Sequence, residues 1–358
     1  MSNKVKKLVV AFLIFICSAI TVHYLEDDLL PYVVELKTFI SGDQPFTSAL
    51  KGCNQIQGEA KDWIHPATLS LTVYGTAQTI FEQNSSQSLR EVLPAYRDKA
   101  PDFEELICVA DYLKAHSKEF EGTLHGDSEK SKVLAFPYNM DKPLYEMKAP
   151  WVSGLAQSFA GQVMLAAYLR TEDESYLDAA RSIANLLFLP ISEGGVLVTF
   201  NDGFWYEEYA SPNSKPPLVL NGHLLSLDFL YWMNEFDRSD RWRIGFDKGL
   251  ESVKGKIENF HSFAWSFYDL DGNLANKKYH LFHIRQLERY SKFDNSGELK
   301  KAASRMQYHL LFPAGVFERL IIQPSNLLFF LVGCFFAIYS LILYFLLKFH
   351  SIFFKKSV

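Results

Sequence analysis

Residues 224–257 read LLSLDFLYWMNEFDRSDRWRIGFDKGLESVKGKI and contain the pattern that decides the fold. Apolar residues recur at helical spacing over 224–235 and again over 242–257, and the segment 237–240 between them is short and polar. This pattern predicts two amphipathic helices joined by a tight turn.

The same pairing of helices recurs along the chain. Further pairs are predicted at 164–170 with 176–187 and at 283–290 with 299–311, and an earlier pair at 66–81 with 103–120. Each pair must stack on a neighbour to bury its apolar face. The repeat therefore predicts a mainly α fold, an α/α toroid or incomplete barrel of helix hairpins.

The connectors between these pairs contain strand patterns. Residues 196–200, the turn Asn-Asp-Gly at 201–203 and residues 204–206 predict a β-hairpin. Two shorter β-rich insertions are predicted at 133–138 and 263–268. In a toroid such insertions line one mouth, where loops on a rigid frame bind ligands.

Both chain ends carry apolar segments with basic flanks. Lys4, Lys6 and Lys7 precede the apolar run 8–25, and no charged residue occurs from 326 to 347. A run of this length crosses a hydrocarbon layer of about 30 Å. We expect transmembrane helices at 1–25 and 325–348, a basic cytoplasmic tail at 349–358, and an extracytoplasmic catalytic domain at 26–324. The outer compartment is a periplasm, a Golgi lumen or the cell exterior.

Composition narrows the class of protein. The chain has 358 residues, of which 48% are hydrophobic and 15% aromatic, with a net charge of -5. This favours a large buried core and gives no support for nucleic-acid binding, which needs a basic surface. Outside the apolar segments the cysteines are Cys53 and Cys108, which form a disulfide in an oxidising compartment or stay as two buried thiols.

Residues 204–283 are rich in tyrosine, acid and histidine, and they belong to a longer ordered series of motifs. The series resembles the D-glucuronyl C5-epimerases from about residue 133 to about 311. The motifs are APWVSGLAQ (149–157), SEGGV (192–196), WYEEY (205–209), VLNG (219–222), YDL (268–270), NLA (273–275) and YHLFH (279–283).

The resemblance implies an isomerase of heparan sulfate or heparosan biosynthesis. It implies C5-epimerisation of D-glucuronate to L-iduronate residues within a heparosan-type glycosaminoglycan, without metal or organic cofactor, by a toroidal and often dimeric protein. A homodimer is thus one expected state. The family's catalytic positions fall here on Tyr209, Tyr268, Tyr279 and Glu208.

Residue chemistry agrees with this assignment. Inversion at C5 needs a base on one face of the sugar ring and an acid on the other, and facing tyrosines can supply both. Donors and aromatic rings near the motifs are candidates for binding the substrate: Trp151, Gln157, Trp205, Asn221, Asn273, His280, His283 and Arg285. Asp271 stands where the family pattern has arginine. This sequence therefore departs from the pattern at a position expected to help bind the carboxylate of the substrate.

Two other functions are compatible with the same sequence. A polysaccharide lyase abstracts the same proton and then eliminates the C4 substituent, and a membrane-anchored glycan-binding protein would have lost catalysis. Trp151 and Trp205 either stack on sugar rings or belong to the core. His280 and His283 share a helix face but lack a third ligand at matching spacing, so no metal site is predicted.

Overall fold

A computed structural model of the chain describes residues 2–41, 65–85, 100–201 and 203–354, and it is mainly helical. Its helices are α1 (Asn3–Ser41), α2 (Pro66–Thr72), α3 (Tyr74–Asn84), α4 (Phe103–His116), α5 (Gly154–Thr171), α6 (Glu174–Asn185), α7 (Leu220–Asp237), α8 (Asp240–Lys256), α9 (Lys277–Tyr290), α10 (Glu298–His309), α11 (Ala314–Ile322) and α12 (Asn326–Phe354). Its strands are β1 (Lys118–Thr123), β2 (Lys130–Ala135), β3 (Leu197–Thr199) and β4 (Phe204–Tyr206).

The three central helix pairs form as predicted: α5 packs on α6, α7 on α8 and α9 on α10. The first two pairs use the same turn. Glu172 and Arg238 adopt left-handed backbone conformations with φ of 60° and 56°, which end α5 and α7. The side chains of Asp173 and Ser239 then cap α6 and α8 by accepting backbone N–H bonds.

The helices differ from the prediction at their ends. α5, α7 and α9 begin at residues 154, 220 and 277, earlier than their apolar periodicity indicated, because their first turns bury polar side chains such as Ser158 and Asn221. The predicted helix 66–81 is two helices separated at Val73. The predicted helix 103–120 was wrong at its end: α4 ends at His116, and Phe120 lies in β1, paired with β2.

The first helices of the three pairs pack side by side. α7 lies between α5 and α9, and α2, α3 and α4 pack against α5. A Cβ at Gly161 would lie 2.1 Å from the ring of Phe229, so this glycine lets α5 and α7 approach closely. The row α5, α7, α9 is the helical core on which the site residues are mounted, while a closed toroid stays a prediction.

Two β-hairpins project from this core. β1 pairs antiparallel with β2, and β3 pairs antiparallel with β4, in the register Leu197 to Tyr206. The predicted hairpin at 196–206 is therefore confirmed. The insertion at 263–268 forms isolated bridges, His261 to Ser266 and Phe267 to Leu274, instead of regular strands.

The terminal helices are long and apolar enough to cross a membrane. The candidate spans are Lys4–Glu26 and Asn326–Phe349, with 22% and 17% of their most apolar windows buried, unlike the core helix of a soluble protein. α1 packs against α12 and α11. By length and composition these helices indicate membrane association.

The cysteines are divided between two environments. Cys17 and Cys334, in the apolar helices, are free and exposed, whereas Cys108 is disulfide-bonded. Cys53 lies outside the described residues, and so does the predicted pairing of Cys53 with Cys108.

Candidate active site

The segment after β4 begins with a buried glutamate that organises the backbone. Glu207 is fully buried, and its carboxylate accepts four backbone N–H bonds, from Glu208 (2.8 Å), Tyr209 (3.4 Å), Leu218 (2.7 Å) and Val219 (3.4 Å). Burial raises its pKa to about 8, and the backbone donors act in the opposite direction. Glu207 thus ties the end of β4 to the start of α7.

The next residue, Glu208, presents its carboxylate to the tyrosines. Oε2 accepts a bond from the Asn221 amide at 3.2 Å, and Oε1 accepts one from the Tyr268 hydroxyl at 3.1 Å. Burial raises the pKa of Glu208 to about 7. A Cβ at Gly222 would lie 2.5 Å from both Cβ and Oε2 of Glu208, so only glycine leaves room for this carboxylate against α7.

The four residues assigned to catalysis come together. The hydroxyls of Tyr209 and Tyr268 are 3.5 Å apart, and the rings of Tyr268 and Tyr279 have centroids 4.9 Å apart. Burial and the nearby Glu208 carboxylate raise the pKa of Tyr209 and Tyr268 well above the ordinary value and that of Tyr279 to about 12. At neutral pH the phenols hold their protons, and Glu208 titrates in their midst.

An aromatic wall stands beside Tyr209. The ring centroids of Tyr145 and Trp151 lie 5.0 and 5.5 Å from that of Tyr209, and Tyr138 stacks on Trp151 at 4.2 Å. The Trp151 indole donates to the Met140 carbonyl at 2.7 Å. Trp151 is therefore part of the site wall, held at both its ring face and its nitrogen.

Lys142 is a cation beside the tyrosines that no sequence motif singled out. Its Nζ lies 4.3 Å from the centroid of the Tyr209 ring, and its charge lowers the pKa of Glu208. The side chain is half-buried. A single lysine in a loop carries no motif, although its place between the β-rich insertion at 133–138 and the APWVSGLAQ motif was a usable signal.

Asp269 organises the turn that follows Tyr268. Its carboxylate accepts bonds from the backbone N–H of Asp271 and Asn273, from the Asn273 amide at 2.7 Å and from the Tyr145 hydroxyl at 2.7 Å. Asn273 is therefore engaged within the turn. Asp271, the departure from the family pattern, pairs with Lys215 at 2.5 Å.

Two of the predicted substrate-binding residues lie in the core instead. The Gln157 amide bonds the backbone of Phe136 and Leu134 at 2.9 and 2.8 Å, which fixes the end of β2 on α5. Trp205 is fully buried and stacks on His223 at 4.1 Å. The structure does not bring either side chain to the tyrosines.

Two of the predicted residues on α9, His280 and Arg285, also make contacts other than with the tyrosines. Both ring nitrogens of His280 are used, one with Ser266 at 2.7 Å and the other with the Met306 carbonyl at 2.9 Å. Arg285 is exposed, and its Nε donates to the Leu281 carbonyl of its own helix.

His283 is fully buried on α9, three residues before Gln286. The Gln286 amide donates to the Asn221 carbonyl at 3.4 Å, which joins α9 to α7. Within the described part of the chain, both His283 nitrogens, Asn221 Oδ1 and Gln286 Oε1 are buried without a hydrogen-bond partner. Burial lowers the pKa of His283 to about 3, so this imidazole is neutral at physiological pH.

Other features do not coincide with the tyrosines. Two broad surface depressions, one between α4 and the end of α5 and one beside β2 and α6, are lined by other residues. Among residues 2–41, 65–85, 100–201 and 203–354, no three His, Cys, Asp or Glu side chains are grouped as metal ligands would be.

A buried carboxylate hydrogen-bonded among three phenols, on a frame of paired helices, has the features of a candidate site for acid–base chemistry. The model of the family described as D-glucuronyl C5-epimerase C-terminus matches residues 129–308, half of the chain, and the chain belongs to this family. Glu208, Tyr209, Tyr268, Tyr279 and Lys142 all lie within the matched segment. The family indicates an isomerase with a C5-epimerase-like function.

One relative aligns with most of the chain. An uncharacterized protein of Methanocaldococcus jannaschii, MJ1128, is 27% identical over 285 residues, which cover 73% of this chain and 90% of that protein. This aligned stretch is longer than the segment matched by the family, so the similarity extends beyond the epimerase segment.

Proposed function

We propose that this protein converts D-glucuronate to L-iduronate within an anionic, heparosan-type polysaccharide by moving the C5 proton from one ring face to the other. One observation carries the proposal: a glutamate with a pKa near 7 is hydrogen-bonded to a tyrosine and surrounded by two more, within the segment that matches the family.

The protonation states of Glu208 and the tyrosines suggest the order of the proton transfers. The C5–H bond breaks as Tyr268 takes the C5 proton and passes its own phenolic proton to Glu208, 3.1 Å away. The electron pair left on C5 delocalises into the sugar carboxylate, and Lys142 offsets the added negative charge. A second tyrosine then donates its proton to C5 from the opposite face, and its phenolate takes a proton back from solvent while Glu208 releases the proton it received.

The tyrosine that acts from the opposite face is inferred by elimination. Two oxygens that flank one carbon must lie about 6 Å apart, with about 3 Å on each side. The hydroxyls of Tyr209 and Tyr268 are only 3.5 Å apart, so we assign them to the same face. Tyr279 is then the proton donor on the other face, and Tyr209 relays protons with Tyr268.

The membrane arrangement is part of the proposal. Lysines precede the first apolar span and follow the second, so we infer two transmembrane helices with both termini cytoplasmic and residues 26–324 outside. A membrane-impermeant maleimide applied to intact cells should then label Ser128→Cys but not Ser2→Cys. We also infer that the row α5, α7, α9 with its partner helices is an arc of an α/α toroid.

Proton exchange in deuterium oxide tests the chemistry. Full-length protein in lipid nanodiscs is incubated with heparosan or its N-sulfated form, and NMR follows C5 deuteration and new iduronate signals. Exchange with no rise in absorbance near 230 nm supports epimerisation. A rise in absorbance would identify a lyase, and no exchange with any uronate polymer would leave a glycan-binding protein.

Matched tyrosine variants connect the result to the site. Tyr268→Phe and Tyr279→Phe should each slow exchange by about 10²-fold or more, the scale of acid–base catalysis. Tyr145→Phe is the control: it also packs against Tyr209, but its hydroxyl bonds Asp269. Equal losses in all three variants would contradict the assignment.

A further inference from the structure

Exposed apolar side chains are concentrated around α11. Phe263 is 91% exposed and Ile321 79%, and Leu311, Phe312 and Ile322 are at least half exposed. Leu311 and Phe312 lie in the turn before α11, Ile321 and Ile322 lie on it, and α11 holds the loop of Phe263. Scattered apolar residues are common on surfaces, but a group of large ones around one helix marks a contact surface.

Contacts with α1 show where this group lies along the candidate span. The rings of Phe15 and Phe317 are 6.4 Å apart, and the hydroxyl of Tyr24 donates to the Leu311 carbonyl at 3.2 Å. Ala19 and Val22 of α1 belong to the same apolar cluster as α11. α11 and its preceding turn therefore lie beside the last three turns of the candidate span Lys4–Glu26.

The charged residues of α11 turn inward. Glu318 is buried and accepts bonds from Ser262 Oγ and from the backbone N–H of Phe263 and Ala264. Arg319 is buried and forms a two-bond ion pair with Glu26 at 3.1 and 2.7 Å. The outward side of α11 is left with the apolar Ile321 and Ile322.

We infer that Phe263, Leu311, Phe312, Ile321 and Ile322, here called the apolar rim, lie in the headgroup and acyl boundary of a lipid bilayer, with α11 as an interfacial helix. The occupant is lipid because the rim is continuous with α1 and because α12 begins at Asn326, close after Ile322. Apolar helix faces settle about 5–10 Å into this boundary. The inference rests on the proposed membrane spans.

The rim also fixes the site relative to the bilayer. Glu318 of α11 accepts a bond from the Ala264 backbone N–H at 2.7 Å, and Gln323, the residue after α11, accepts one from the Leu274 backbone N–H. These two residues therefore bind the chain on both sides of Tyr268. The Lys277 ammonium donates to the His23 carbonyl of α1 at 2.8 Å, two residues before Tyr279. The polymer would therefore be processed at the membrane surface.

Fluorescence quenching tests the rim in the full chain. Single cysteines replace Phe263 or Ile321 in a Cys17→Ser, Cys334→Ser background, are labelled with bimane, and are reconstituted into phosphatidylcholine vesicles with acyl chains spin-labelled at carbon 5. Ile244→Cys, also exposed but on α8, is the matched control, and the parent chain gives the background. Leu341→Cys reports on the α12 span.

The rim sites should be quenched at least about twofold more by the lipid spin label than the Ile244 site, and should be protected from iodide. If the rim sites are quenched no more than the Ile244 site while the Leu341 site is quenched, the lipid contact of the rim is contradicted and the proposed membrane spans still hold. Absence of quenching at Leu341 as well would overturn the spans, and with them the rim.

Discussion

Glu208 keeps its proton to a pH at which an exposed glutamate has lost it. Its pKa rises from 4.5 to about 7 because the carboxylate is buried, so the folded chain binds a proton that the unfolded chain has released. Stability from this group is therefore lost as pH rises from about 4.5 to 7. Proton exchange at C5 needs the ionised carboxylate of Glu208. The rate of exchange should therefore rise as the pH increases toward and through about 7.

Glu208→Gln separates these two effects. Exchange should fall by about 10²-fold or more, whereas the unfolding temperature at pH 8 should rise above that of the unmodified protein and converge with it near pH 4.5. Asn221 can rotate its amide to bond the new glutamine, since its Oδ1 has no partner in the described residues. Thermal unfolding from pH 4.5 to 8 measures this, with exposed Glu193→Gln as control. A pH-independent shift would contradict the burial argument.

The Lys142 ammonium, 4.3 Å from the centroid of the Tyr209 ring, places a positive charge beside the tyrosines. Lys142→Met should raise KM for the polymer by about tenfold and lower kcat, because the charge-assisted contact to the sugar carboxylate is lost. Because Lys142 lowers the pKa of Glu208, its removal should also move the acidic limb of the pH–rate profile upward. Lys148→Met, an exposed lysine paired with Asp141 at 2.6 Å, is the control. An unchanged pH profile would exclude Lys142 from the site.

These residues show what sequence patterns can resolve. The family resemblance carried by the ordered motifs grouped Glu208 with three tyrosines, and the structure brings these four side chains together. They did not separate Trp205 and His280, which pack or bond in the core, from side chains that face the site. A buried and a ligand-facing side chain beside the same motif look alike in sequence, because burial depends on partners far along the chain.

At the scale of elements, close contacts between helix and loop shape the site. α7 begins under Glu208, and the absence of a Cβ at Gly222 makes this approach possible. The helix pairs were predictable from periodicity, whereas the first turns of α5, α7 and α9 were not, because they bury polar residues. In each of these first turns, polar residues interrupt the apolar stripe from which a helix is predicted.

Two glycine substitutions test this approach of α7 to Glu208. Gly222→Ala should displace Glu208 and slow exchange by about tenfold or more, because its Cβ would lie 2.5 Å from the carboxylate. Gly255→Ala in α8 meets nothing within 4 Å and should stabilise the protein by about 0.5–1 kcal/mol with unchanged activity. C5 exchange and thermal unfolding are compared in both variants. Full activity of Gly222→Ala would show that Glu208 tolerates displacement.

For the whole molecule, a buried ion pair is one of the contacts that join the apolar helix α1 to the catalytic core. Glu26 on α1 and Arg319 on α11 are linked by two hydrogen bonds, and their side chains are 10% and 6% exposed. Arg319 also lies 4.9 Å from the ring of Trp265, in the loop that leads to Tyr268. Movement of α1 relative to α11 would therefore be transmitted to this loop.

Breaking this pair should cost more than removing it. Glu26→Gln leaves the Arg319 charge buried without its partner, so it should destabilise the protein by about 3–5 kcal/mol and slow C5 exchange. The double variant Glu26→Gln, Arg319→Met removes both charges and should recover most of the stability, because the penalty comes mainly from the uncompensated charge. Unfolding midpoints and exchange rates of the single and double variants in nanodiscs measure the coupling. If the double variant is stable but still slow in exchange, the pair positions the Tyr268 loop. If stability and rate recover together, its contribution is to stability alone.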